Sequence, residues 1–333
     1  MARPCTRRRL IKAGAALIGG VASPAIGFPT ILRAATVTRL KCVTLATGVS
    51  VIVDAYMQAK RFDLKNDVDL VAVNSYTSIA NYYNDFAAGT FDVAIGSWDT
   101  FAQMYGRGIP IRLACTAASA ELVSIVAAKN GPATIEELRG KTLAAVQASG
   151  SYKLSKMVIQ DIWGIALEKD VPVENVPNPA QALTMIMADR AAAALSWEPS
   201  VSGAIARVPD MMPIFNLGAA YRQHRHGALP YFTYAIQSAV LKGRPDLAAR
   251  VAKSFTDCIA EIMADPSEAI ALAAPEMKIA PQALRIGFDS GRLQLKAEPM
   301  SNPATRRAVA RAADYMHRNG GLADSVDDGF FAL

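Results

Sequence analysis

The side chains best suited to hold a small molecule fall in short stretches that combine hydroxyls with aromatic or acidic residues. These are Ala46-Thr47-Gly48-Val49-Ser50, Asn74-Ser75-Tyr76, Ser97-Trp98-Asp99, Ser119-Ala120-Glu121, Ser149-Gly150-Ser151-Tyr152 and Ser196-Trp197-Glu198-Pro199, with Tyr231 as a further phenol in a loop rich in Gly, Pro and His. Each has an ordinary structural reading. Ser50 and Ser151 are good helix caps, and Trp98 and Trp197 are good core residues. Their shared position favours a pocket instead. Nearly all lie where an apolar β-type run gives way to a helical one, and in open α/β sheets ligands bind outside the carboxyl ends of the strands, against the free N–H groups of helix N-termini.

Other chemistries find little support. Gly140-Lys141-Thr142 resembles the end of a phosphate-binding loop, but position 135 is Ile where that motif needs glycine, and the segment runs from a helical turn into a strand, the reverse of the required order. No Gly-x-Gly-x-x-Gly and no Gly-x-Ser-x-Gly occurs. His224 and His226 are flanked by Arg222 and Arg225, which would repel a metal cation. The expectation is therefore binding without catalysis, with no cofactor and no metal.

The elements that would position these residues alternate. Arg39 to Leu45, Val68 to Val73, Phe91 to Gly96 and Ile111 to Thr116 read as strands, and Val49 to Ala59, Tyr76 to Ala88 and Thr100 to Arg107 read as helices between them. A second series follows: strands at Leu122 to Ala128, Thr142 to Val146 and Ala193 to Ser196, with helices at Ser151 to Trp163, Pro179 to Asp189 and Pro199 to Ala206. Tyr234 to Leu241 reads as one more strand, and the chain beyond Arg244 as mostly helical, with Pro245, Pro266 and Pro281 at first-turn positions. This pattern predicts α/β lobes with mostly parallel sheets. About 300 residues exceed one compact core, so two lobes are expected: 36–117 as the first part of lobe 1, 118–215 as lobe 2, and 216–333 as a return crossover plus the rest of lobe 1.

The chain of 333 residues carries a net charge of +6, which by itself would suggest an acidic partner. Arg3, Arg7, Arg8, Arg9, Lys12 and Arg33 account for all of it, because residues 1–35 contain no acid; without them the net charge is zero. A nucleic-acid partner is not expected. Thr6-Arg7-Arg8-Arg9-Leu10-Ile11-Lys12 ahead of an uncharged stretch closely resembles a twin-arginine export signal. Glycines and prolines within that stretch argue against a permanent anchor, so residues 1–35 are expected to be cleaved and the mature chain to be periplasmic. Cys42, Cys115 and Cys258 are scattered and read as small buried hydrophobes.

A family resemblance rests on Gly96-Ser97 after the third strand, on Leu138-Arg139-Gly140-Lys141-Thr142 leading into Ala148-Ser149-Gly150-Ser151, and on Trp197-Glu198-Pro199 after an Ala-rich strand. In this order they resemble the periplasmic solute-binding proteins of ABC importers for nitrate, sulfonates, taurine and thiamine-precursor pyrimidines. The resemblance implies a type II periplasmic-binding fold with hinge crossovers near Ala117 to Glu121 and Phe215 to Tyr231. It also implies ligand contact at Gly48, Ser50, Ser97, Trp98, Ser149, Gly150, Ser151, Tyr152, Trp197 and Glu198, an inner-membrane ABC permease with its ATPase as partner, and a monomer. The loops themselves add Tyr76, Asp99, Glu121 and Tyr231. Because the six junction stretches hold acids and aromatics but neither Arg nor His, a nitrogen-containing or aromatic solute suits them better than nitrate, sulfonate or taurine. The same fold also serves pyrimidine synthases, which carry a cysteine-rich motif that this chain lacks.

Export supplies the first test. Replacing Arg7 and Arg8 together by Lys keeps the charge but removes the twin-arginine pair, so cell fractionation is expected to find the full-length precursor in the cytoplasm. Normal processing of that variant would assign the leader to the general secretory route.

Overall fold

The computed structural model describes residues 37–46, 48–225 and 227–333. The leader with Cys5 and the expected cleavage site lies outside the described residues, as do Thr47 and His226. Strand β1 (Thr38–Leu45) is followed by helix α1 (Val49–Lys60), α2 (Phe62–Lys65), β2 (Val68–Tyr76), α3 (Ile79–Ala87), β3 (Val93–Ser97), α4 (Trp98–Gly106) and β4 (Ile111–Ser119). A single 3-10 turn, Ala120–Leu122, leads to β5 (Val123–Ala127), β6 (Leu143–Ala145), α5 (Gly150–Trp163), β7 (Val173–Asn175), α6 (Pro179–Met187), β8 (Ala193–Trp197), α7 (Ser200–Arg207) and β9 (Met212–Asn216). Helix α8 (Leu217–Arg225) returns the chain to β10 (Pro230–Gln237), and α9 (Ser238–Leu241), α10 (Leu247–Ala264), α11 (Ser267–Met277), α12 (Pro281–Asp289) and α13 (Pro303–Arg318) complete it. No helix among the described residues is long and apolar enough to cross a membrane.

Two five-stranded sheets share one plan. The first has the order β2-β1-β3-β10-β4, with β1 parallel to β2 and β3, and β10 antiparallel to β3 and β4. The second has the order β7-β6-β8-β5-β9, with β6 parallel to β7 and β8, and β5 antiparallel to β8 and β9. In each sheet the reversed strand is the one that arrives from the other sheet. The inner strands β3, β5, β8 and β10 are buried at every position, as expected of largely apolar strands when helices cover both faces.

Several boundaries differ from the sequence reading. Tyr76 ends β2 instead of opening a helix, because Ser78 caps α3 by accepting the Asn81 N–H at 3.4 Å. Met212–Asn216 pairs with β5 as an edge strand, where Pro213 is tolerated, and Leu217–Arg225 is helical; both segments were expected to be loop. Tyr231 lies in β10, which starts earlier than expected, while residues 238–241 turn helical.

Among the C-terminal helices, α10 packs on the first sheet and α12 packs on α7, beside the second. Tyr234 of β10 stacks on Phe255 of α10 with ring centroids 3.5 Å apart and planes 12° from parallel. The outer side of β4 is covered by single bridges from Leu295, Pro299 and Phe331, so little of that edge is left to pair with another chain. Cys42, Cys115 and Cys258 are free and buried, and burial pushes each thiol well above its ordinary pKa. Phe255→Ala removes the stacked ring from a closed core and is expected to cost about 3–5 kcal/mol in denaturant unfolding. A loss below about 1 kcal/mol would mean that α10 is peripheral to the first lobe.

Candidate functional site

The strand-to-helix junctions of the two sheets face one another. Helix α5 begins at Gly150, with the Ser149 hydroxyl accepting the Tyr152 N–H at 3.2 Å. That cap leaves the first N–H groups of the helix without an intrahelical partner. Gly150 sits directly against the start of α4: a Cβ at this position would overlap Ser97 Oγ and Asp99 Oδ1. The absence of a side chain is what allows the contact.

Three further contacts run between the same surfaces. The hydroxyl and N–H of Ser151 lie against the Tyr231 phenol, whose pKa burial drives far upward. Lys153 Nζ donates to Gln103 Oε1 of α4 at 3.1 Å. Trp197 Nε1, at the end of β8, approaches Gly48 at the start of α1, 3.5 Å from where a Cβ would stand. Gly48 has φ 110°, a left-handed value that suits glycine. The structure thus brings together Gly48, Ser97, Asp99, Gly150, Ser151, Trp197 and Tyr231, with Ser149 bonded behind Ser151 at 2.7 Å and Ser50 beside Gly48 in the first turn of α1.

Five other expected contacts are committed elsewhere. Tyr76 hydroxyl donates to Asp85 and its ring packs edge-on against Tyr82 and Phe91, beneath α3. Trp98 donates its indole N–H to the Pro230 carbonyl at 2.7 Å and is fully buried. Tyr152 turns into the second lobe, where its hydroxyl donates to Glu168 at 2.7 Å. Glu121 is ion-paired with Arg222 of α8. Glu198 accepts from Arg292 Nε at 2.9 Å and from both the N–H and the hydroxyl of Ser202 at 3.0 Å, so its carboxylate is satisfied by the protein. Pro199 immediately precedes α7, one residue before the first-turn position expected.

The crossovers meet beneath this surface. Asn216 donates to the Glu121 carbonyl at 2.6 Å and the Ala120 N–H to the Leu229 carbonyl at 2.9 Å, which ties the outgoing and returning strands together. Lys153, Gln103 and Arg292 were missed as organising residues. Arg292 stands 94 positions from its partner, a pairing with no local signal.

Of the expected site residues, Asp99, Trp197 and one carboxylate oxygen of Glu121 have buried polar atoms without a hydrogen-bond partner among the described residues. Asp99 is fully buried, and neither of its carboxylate oxygens has a hydrogen-bond partner among the described residues. The Ser97 hydroxyl and the N–H groups of Asp99 and Thr100 lie close to it, none in hydrogen-bonding geometry. Burial holds the Asp99 pKa above the usual carboxylate range, with Lys153 pulling the other way. Trp197 Nε1 is likewise unpaired among the described residues. Among those residues no group of three His, Cys, Asp or Glu side chains could hold a metal ion.

Two lobes of mixed α/β structure, each with one reversed strand and joined by paired crossovers, define the type II periplasmic-binding fold, and solved structures bear this out. The chain is similar to the alkanesulfonate-binding protein SsuA from Xanthomonas axonopodis pv. citri bound to MOPS, with TM-score 0.71 and 14% identity over 86% of this chain and 95% of that one. It is also similar to the periplasmic aliphatic sulphonate-binding protein SsuA from Escherichia coli, with TM-score 0.70 and 15% identity over 87% of this chain and 95% of that one. A Candida albicans gene product described as exhibiting the generic periplasmic binding protein fold matches with TM-score 0.62 and 16% identity over 88% of this chain and 93% of that one. No curated protein sequence matches the chain. The NMT1/THI5-like family model matches residues 65–269, and the chain belongs to that family.

The pairing of Glu198 yields a prediction. Glu198→Gln weakens three charge-assisted hydrogen bonds around a buried carboxylate and is expected to lower stability by about 2 kcal/mol in thermal or denaturant melts, with no matching loss of solute affinity. A variant with unchanged stability but weaker binding would return Glu198 to the ligand site.

Proposed function

We propose that the protein is the exported, periplasmic solute-binding subunit of an ABC-type importer, which captures one small organic molecule by closing its lobes and hands it to an inner-membrane permease with its ATPase. It works as a monomer, without cofactor, nucleic acid or chemical conversion of the solute. One observation carries this reading: the start of α5 meets the start of α4 at Gly150, where a cleft between lobes would shut. Two crossovers can act as a hinge for such a motion, and helix N-termini, hydroxyls and the Trp197 indole line the closing faces. The family membership and the resemblance to sulfonate-binding proteins support the same class of protein. A binder of sulfonate, taurine or nitrate on the same framework is the alternative within that class. A pyrimidine-synthase-like enzyme is the alternative outside it.

Gly150→Ala tests the reading. The added methyl collides with Ser97 and Asp99 only when the lobes are closed, and alanine favours the helix when they are open. The solute is first identified by native mass spectrometry of protein purified from its own periplasm, where one unmodified molecule per chain is expected. Calorimetry with that solute should then show affinity reduced at least about tenfold in Gly150→Ala, equivalent to about 1.4 kcal/mol, in a variant that melts no lower than wild type when empty. Undiminished affinity would move the site elsewhere, and recovery of a chemically altered product would favour an enzyme.

A further inference from the structure

The acidic residues at the junctions separate into two kinds. Glu198 is neutralised by Arg292 and hydrogen-bonded at both oxygens, and Glu121 is paired with Arg222. Asp99 alone among these three has no counter-ion bonded to it. It is fully buried, both of its oxygens lack partners among the described residues, and it lies at the surface where Gly150 closes on Ser97. Lys153 spends its ammonium on Gln103 instead.

Such a carboxylate carries a cost when it is buried empty, because the hydration it loses is not replaced. The N-termini of α4 and α5 soften that cost through their dipoles, but a dipole does not fill the lone pairs of both oxygens. An anionic solute would have to compete with Asp99 for those helix ends and would be repelled by it. A solute that presents N–H groups on an electron-poor or protonated nitrogen reverses each of these penalties, since it brings donors and positive charge to a carboxylate with both oxygens open and no bonded counter-ion. Trp197 Nε1, also open, offers a donor to an acceptor atom on the same molecule.

We propose that Asp99 is the specificity-determining residue of the cleft, receiving an N–H-bearing nitrogen group of the solute, such as an amidine, guanidine or protonated heteroaromatic amine, and making lobe closure conditional on that group. This rests on the reading of the cleft as a solute-binding site. It goes further in stating which chemistry is admitted and why the empty protein resists closing. The titratable groups facing Asp99 are Lys153 from α5, Tyr83 from α3 and Tyr231 from β10. Both phenols are held neutral by burial. Burial raises the Asp99 pKa in the closed form, so the closed form binds the proton more tightly. Closure of the empty protein therefore becomes easier as pH falls through that raised value and harder above it.

Asp99→Asn, with Asp99→Ser as a second variant in case the amide disturbs folding, tests the proposal on the mature chain. Small-angle scattering of protein unfolded and refolded free of solute should show wild type as the more extended form at neutral pH and Asp99→Asn as more compact, with wild type contracting on acidification. The solute recovered from wild-type protein should contain an N–H-bearing nitrogen, and its affinity should fall roughly 10- to 100-fold in both variants. A recovered solute without such a nitrogen, or one bound equally well by Asp99→Asn, overturns the role of Asp99 while leaving solute binding intact. If no solute is retained and Gly150→Ala behaves as wild type throughout, the binding reading itself falls, and this proposal with it.

Discussion

The start of helix α5 can lie against the start of helix α4 because position 150 has no side chain. Any Cβ there would occupy the space of Ser97 Oγ and Asp99 Oδ1, and a close-packed backbone cannot absorb such an overlap without separating the elements that carry it. The other contacts between the lobes depend on that approach. With α5 seated on α4, Ser151 reaches Tyr231, Lys153 reaches Gln103, and the end of β8 brings Trp197 to Gly48. A single glycine thus sets how closely the two faces approach.

The crossed topology links the two lobes through one region. β5 and β10 each enter a sheet from the opposite lobe and run against its other strands, so both connections pass through one region. Hydrogen bonds from Asn216 to Glu121 and from Ala120 to Leu229 hold the two connections side by side. Trp98 adds its indole N–H to the Pro230 carbonyl, so α4 is anchored to the returning strand. The junction at the cleft and the crossover beneath it are mechanically continuous.

Environment, more than residue type, divides the acidic residues into those already bonded and those left open. Glu198 and Asp99 both lie at strand-to-helix junctions, one between β8 and α7 and one in the first turn of α4, and both are buried. Glu198 meets Arg292 and the first turn of α7, and its charge becomes a cross-link between the second lobe and the C-terminal segment. Asp99 meets no such partner among the described residues and keeps its bonding capacity. A buried carboxylate that is satisfied stabilises a fold, while one that is not is costly unless another molecule completes it.

Much of this architecture was legible in the sequence, because apolar runs of period two and stripes of helical period are local signals. Most strands and helices fall within a few residues of where those patterns place them, and the two-lobed α/β class follows from their alternation. Gly48, Ser97, Gly150 and Trp197 could be picked out because strand-to-helix junctions are recognisable by composition. What the sequence could not reveal is which junction side chains are free. Tyr76, Tyr152, Trp98, Glu121 and Glu198 look as suitable as Asp99 until their partners are seen, and those partners stand 9, 16, 132, 101 and 94 positions away. β9 and α8 escaped for a similar reason, since an edge strand containing proline gains its stability from the neighbour it pairs with. Local sequence determines the elements and the candidate positions; the tertiary structure decides which polar groups are already satisfied, because a hydrogen bond between distant residues leaves no trace in either one's neighbourhood.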